Sequence, residues 1–234
     1  MGGFLNMNKK LLFILLFILV GSIALQIPFT QVVGSKANFT LFDFFAPIAG
    51  GFLGSGIGII SVFIIMFINL LIHGFGLVDK GVVIRLFPIL FGVWFFAVCV
   101  KSSKSSKWIL TVPILSIIIF NLHPIGRTVW FYSLYWFIPL IVWPFRNNFL
   151  LARSLGATFT IHAVGGAIWI WAFNLPAVVW ISLIPIVALE RIIFALGISA
   201  SYILFNNLLA LISKYKLLKA DFSLDKRYIL KVLR

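Results

Sequence analysis

Acid is what this chain lacks most. Only 5 of its 234 residues are Asp or Glu, against 19 Lys and Arg, and charged residues make up 10% in all. A soluble domain carries about 25% charge and needs polar side chains to cover its surface. So small an ionisable complement excludes a soluble enzyme and a disordered chain. Cysteine is nearly missing as well. Cys99 stands alone inside an apolar run, so no intrachain disulfide can form and a disulfide scaffold is excluded. No Cys or His pair has metal-ligand spacing, and no Gly-Lys-Ser/Thr phosphate loop follows the glycines. No metal and no cofactor is therefore expected.

Apolar residues are what the chain has instead: 62% of the total, with aromatics at 17% and a mean hydropathy of +1.16. Apolar runs fall at 11–29, 43–54, 56–75, 81–100, 108–122, 128–145, 155–174 and 177–213. With about 20 apolar residues needed per crossing, the expected fold is an all-α polytopic membrane protein, a bundle of about seven to eight transmembrane helices. Residues 1–213 form that bundle, and 214–234 form a basic cytoplasmic tail. The net charge of +14 would suggest nucleic acid in a soluble protein. Here the bases sit at span ends, as in Lys/Arg-enriched cytoplasmic loops, so lipid is the expected partner and nucleic acid is not.

Loop charge sets the expected topology. Lys9 and Lys10 place the N-terminus in the cytoplasm, and the run that follows is read as a retained first span rather than a signal peptide. Keeping Lys101, Lys104 and Lys107 inside requires 43–75 to be a hairpin turning near Gly54-Ser55-Gly56. Arg146 and Arg153 are then cytoplasmic, as is the tail, so both termini lie inside. The last run, at about 55 Å as a helix, is too long for one perpendicular span, and a break is expected at Pro185 or at Glu190-Arg191. From Leu217 onward the apolar spacing suits an interfacial amphipathic helix or a partner-docking one.

Several constellations are candidates for function. Gly50, Gly54 and Gly58 are spaced by four, which on a continuous helix makes one smooth face for close packing. The alternatives are a tight helical hairpin or unwound backbone lining a ligand cavity. Ionisable groups within spans are costly and so point to sites. Glu190 is the acid placed there, able to meet a cationic ligand, Arg85 or Arg127, or to form a structural ion pair. His162 shares a helix face with Thr158, near Gly165 and Gly166, and reads as a packed side chain or as a ligand contact. His73 and His123 fall at span ends, where headgroup contact is the simpler reading. Trp136 and Trp169 fall mid-span, where an indole N–H needs a partner and a flat ligand could stack. Ser55 with a distant His162 is a weak echo of intramembrane serine hydrolysis, without the Gly-x-Ser-Gly order.

The stretch from Leu41 to Leu71 runs Phe42-Asp43, a short helix over Ala46 to Phe52, a turn over Gly54 to Gly58, then an apolar helix from Ile59. With IHAVGGAIW (161–169) and LIPIVALERIIFALG (183–197), it resembles the substrate-binding (S) components of energy-coupling factor vitamin transporters. The resemblance implies capture of a scarce vitamin-like solute from outside a prokaryotic cell membrane. Release would be driven by a transmembrane coupling subunit and cytoplasmic ATPases. It places the ligand among Trp136, His162, Trp169 and Glu190, with the Trp rings stacking and the other two recognising polar groups. A non-catalytic subunit of a membrane assembly, suggested by the basic tail, and an intramembrane lipid- or peptide-processing enzyme are the competing readings.

Overall fold

A computed structural model describes residues 9–72, 80–101, 104–214 and 224–233. Helices dominate: α1 (Lys9–Leu25), α2 (Ile48–Leu53), α3 (Ser55–Ile72), α4 (Lys80–Ile84), α5 (Pro88–Lys101), α6 (Thr111–Leu122), α7 (Pro124–Thr128), α8 (Ile138–Val142), α9 (Leu150–Phe173) and α10 (Ala177–Lys214). Four helical stretches are long and apolar enough to cross a membrane: Ser55–Ile72, Lys80–Val100, Leu150–Phe173 and Ala177–Ile212. Shorter apolar stretches run over Ile14–Leu25, Lys107–Leu122 and Trp130–Phe145. Large aliphatic side chains such as Leu19, Ile60, Ile118 and Leu204 face outward. In water such faces would drive aggregation, whereas lipid tails are their natural surroundings. The chain is a helical membrane protein.

α9 is the central post. α5, α6, α8 and α10 all pack against it. Its small residues, among them Gly156, Ala157, Ala163 and Ala167, are buried and let those neighbours approach. Two apolar clusters result. One joins α1, the 41–52 segment, α3 and α5 through Phe42, Ile48, Ile65, Val93 and Phe96. The other joins 120–136, α9 and the start of α10 through Phe120, Tyr132, Trp136, Ile170 and Trp180.

Four features differ from the sequence expectations or choose among them. An all-α reading misses a two-stranded antiparallel sheet, β1 (Pro28–Gln31) with β2 (Asn38–Thr40). Its strands pair Thr30 with Phe39 and Gln31 with Asn38, and Gly34 turns the chain with φ +83°. Strands this short leave little periodicity to detect. Of the alternatives open for the spaced glycines, the single continuous face does not form, because the helix ends at Gly54, which has φ +80° and separates α2 from α3. Gly50 and Gly58 still permit close packing. A side chain on Gly50 would strike the Val93 carbonyl of α5, and a Cβ on Gly58 would lie 3.0 Å from the backbone of Ala49.

The stretch 130–145 is not one regular helix. It comprises a 3-10 helix (Trp130–Phe137), α8 and a second 3-10 turn (Trp143–Phe145), with Pro139 and Pro144 withholding N–H groups. Finally, α10 does not break. It runs through Pro185 and past Glu190 and Arg191 as one helix of 38 residues. Membrane helices tolerate proline because neighbouring groups compensate locally. The carbonyl that Pro185 leaves without its helix donor is that of Ile181, four residues back, and the neighbouring Ile184 carbonyl accepts the Tyr135 hydroxyl at 3.0 Å.

The tail expectation is also revised. Residues 215–223 lie outside the described residues, and 224–233 form two 3-10 turns rather than an amphipathic α-helix. They dock on α10 through two adjacent side-chain amides. Asn206 donates to the carbonyl of Asp225 and accepts from its N–H, both at 3.0 Å. Asn207 donates to the carbonyl of Tyr228 and accepts from the N–H of Leu230, both at 2.7 Å. Asp225 pairs with Arg227 at 2.7 Å and with Arg153 of α9 at 3.5 Å. The hydrogen bonds from Arg227 hold the Asp225 carboxyl below the ordinary carboxylate range, and Asp225 in turn raises Arg227. Arg153 also donates to the carbonyl of Arg146 at 2.6 Å, and Arg227 to that of Asn147.

Candidate functional site

Between the two apolar clusters lies a cavity of about 270 Å³, closed on one side by the β1–β2 hairpin. Its wall is mainly apolar and aromatic, from Phe39, Ile84, Ile89, Tyr132, Trp169 and Trp180 among others, with polar groups at a few points. That combination, and a volume near the lower end of the ~300–1,000 Å³ usual for ligand pockets, fits a small organic molecule. The hairpin is pinned by Trp169, whose indole N–H donates to the carbonyl of Val33 at 3.0 Å.

Two ion pairs stand on the wall. Asp43 is the third residue of the 41–44 turn, where its carboxylate accepts the backbone N–H of Thr40 at 2.7 Å in a capping box. It also takes Arg85 Nη2 at 2.9 Å to each oxygen. Arg85 sits in the 85–87 turn ahead of Pro88, which brings it to face Asp43 across 42 positions of sequence. The second pair is Glu190 with Arg191, 3.4 Å apart on α10. Phe39 of β2 links the pairs, since both guanidinium groups lie over its ring, each 4.8 Å from the centroid. Arg191 also lies 4.4 Å from the Phe194 ring, and its side chain is only 3% exposed. Aromatic faces thus supply part of the charge compensation that lipid cannot.

A third polar group comes from α9. His162 Nδ1 accepts the indole N–H of Trp136 at 3.0 Å, and its Nε2 lies 3.1 Å from the Tyr132 hydroxyl. Trp136 is fully buried and reaches His162 past Gly166, where a side chain would collide with the indole.

Of the residues singled out from the sequence, His162, Trp169 and Glu190 meet on the cavity wall. Trp136 stands behind His162 and acts on it through the indole N–H. Thr158 is buried one turn away from His162, packed within the bundle and not on the wall. Glu190 meets neither Arg85, which is held by Asp43, nor Arg127; its ionic partner is the adjacent Arg191. His123 is buried and caps α7, accepting the N–H of Ile125 at 3.2 Å, so it does not face headgroups. His73 lies outside the described residues. Ser55 is exposed at the start of α3 and His162 is engaged by Trp136 and Tyr132, so no serine–histidine pair is assembled.

Sequence reasoning missed Asp43, Arg85 and Arg191 as members of one site, along with Tyr132, Phe39 and Trp180. A signal existed for Arg191, a second ionisable group inside an apolar run. None existed for the pairing of Asp43 with Arg85, which is set by tertiary contact alone. Among the described residues, no group of three or more His, Cys, Asp or Glu could hold a metal ion. No family model, curated protein or solved structure matches this chain.

Proposed function

We propose that this chain is a membrane-embedded solute-capture protein, the substrate-binding subunit of an uptake system. The observation that carries the reading is the cavity itself. It is lined by bundle helices and a short hairpin, its wall is largely aromatic and aliphatic, and it carries two ion pairs and a histidine held on both ring nitrogens. Buried charge in a membrane protein is costly and is associated with substrate or ion paths. The resemblance of 41–71 and of the 161–197 stretches to vitamin-transporter S components agrees with that use. The sequence contains no phosphate loop, so energy would come from a transmembrane coupling subunit with cytoplasmic ATPases. In this reading the bundle crosses a prokaryotic cell membrane eight times, the even count within the expected seven to eight that two cytoplasmic termini require, and the hairpin faces outward.

The test is native mass spectrometry of the protein extracted from its own membranes, followed by uptake measured in vesicles with its copurified partners. A vitamin-sized adduct released on unfolding, and uptake of that compound, is the expected result. A chain that carries no small molecule and supports no uptake is not a capture subunit.

A further inference from the structure

Three polar groups of cavity-lining residues, Tyr132 and Arg191 buried and Glu190 half-buried, have hydrogen-bonding capacity that the described protein residues leave unused. The first is set by a chain of fixed direction. An indole N–H can only donate, so Trp136 forces His162 Nδ1 to be the bare, accepting nitrogen. The proton of the neutral imidazole then sits on Nε2 and is donated to the oxygen of Tyr132. The hydroxyl proton of Tyr132 must point away from His162, and His162 is the one hydrogen-bond partner of that hydroxyl among the described residues. The second group is Arg191 Nε, a buried donor with no partner. The third is the Glu190 carboxylate, which has room for several donors and receives only Arg191 Nη2, at 3.4 Å. Asp43 differs, since Arg85 and Thr40 already fill its acceptor positions.

The unused set is therefore two donors, Tyr132 and Arg191, and one acceptor, Glu190, on the wall of one cavity. Its formal charge is balanced, each guanidinium standing beside a carboxylate. A ligand with net charge would lose its hydration without gaining a net counter-charge, which is unfavourable against so apolar a wall. A neutral edge with a carbonyl oxygen next to an N–H is the chemistry that complements two donors and one acceptor. Resting on the capture role proposed above, we infer that the cavity recognises a small planar molecule by an amide-type edge, a carboxamide or lactam. Its carbonyl oxygen is received by Tyr132 and Arg191, its N–H is given to Glu190, and its flat body lies among Phe39, Trp169 and Trp180.

The experiment uses the full chain in lipid nanodiscs and three probes of equal ring size: benzamide, benzoate and benzylamine. Binding is followed by ligand-observed NMR and by quenching of tryptophan fluorescence. Benzamide is expected to bind about tenfold tighter than either charged probe, and Tyr132→Phe to weaken it about tenfold, the size of one buried hydrogen bond. Side-chain ¹⁵N spectra of the wild-type protein are expected to report His162 as the neutral, Nε2-protonated tautomer, a measurement that needs no variant to fold. Tighter binding of benzoate or of benzylamine, no binding of any probe, or an Nδ1-protonated or cationic His162 at neutral pH would overturn the inference. Failed uptake with the benzamide preference intact counts against the capture role alone. Uptake without that preference counts against the amide edge alone.

Discussion

The cavity wall and the tail clasp use the same chemistry, arginine beside carboxylate, and differ in where unused groups are left. At the clasp, Asp225 is shared by Arg227 and Arg153, and Asn206 and Asn207 each give and take a backbone hydrogen bond. At the wall, Arg191 Nε has no partner and Glu190 has one long contact. The two places sit on the same helices. Sixteen residues separate Arg153 from Trp169 on α9 and Arg191 from Asn207 on α10, about 24 Å along each axis at 1.5 Å per residue. Arg146 Nε and the Tyr202 hydroxyl, beside the clasp, are also buried without a partner among the described residues, so the two places differ in where such groups stand: Arg191 lines the cavity, and Arg146 and Tyr202 do not. That placement supports a structural role for the clasp and the ligand role proposed for the wall.

The most forceful way to break this contrast is to unbalance the wall. Asp43→Asn leaves Arg85 without its carboxylate and should cost about 3 kcal/mol, read as a lower melting temperature of the purified protein in detergent. If the melt is unchanged, the wall is not the buried electrostatic unit described above. At the clasp, Asn207→Ala removes two backbone partners and should cost about 2 kcal/mol locally while leaving the bundle melt nearly unmoved. Hydrogen exchange at the Leu230 amide should then rise about thirtyfold.

Trp169→Phe keeps the ring and deletes the bond to Val33, a loss of about 1 kcal/mol. Faster exchange confined to β1–β2 is the expected signature; a change spread over α9 would mean that the indole supports the bundle instead. The smallest effect concerns pH. Asp225 has a depressed pKa when docked, so its contribution is present above the ordinary carboxylate range, near 4, and is lost as pH falls through the lower docked value. Clasp protection should therefore be flat from pH 7 to about 5 and decline only in stronger acid.

Parts of this arrangement were legible beforehand because polarity within apolar runs is conspicuous. Glu190 and His162 stand out in a chain so poor in ionisable groups, and both line the cavity. Trp136 was visible as an indole needing a partner, but not that its partner would be His162. Asp43 and Arg85 could not be paired from the sequence, since each taken alone reads as a loop charge at a span end. The hairpin that closes the cavity has strands of four and three residues, too short to announce themselves. The unbroken α10 was not legible, because an apolar run of about 55 Å exceeds one perpendicular span and invites a break that a tilted or protruding helix does not need.

The length of α10 has a consequence for where work can be done on this protein. Its 38 residues measure about 57 Å, and even at a tilt of about 40° a hydrocarbon layer of ~30 Å covers only some 39 Å of helix. About a third of the helix must stand clear of the oil, however the bundle is oriented. α10 is therefore a mast as well as a span, and whatever is attached to its protruding length lies in the headgroup layer or beyond it, outside the hydrocarbon.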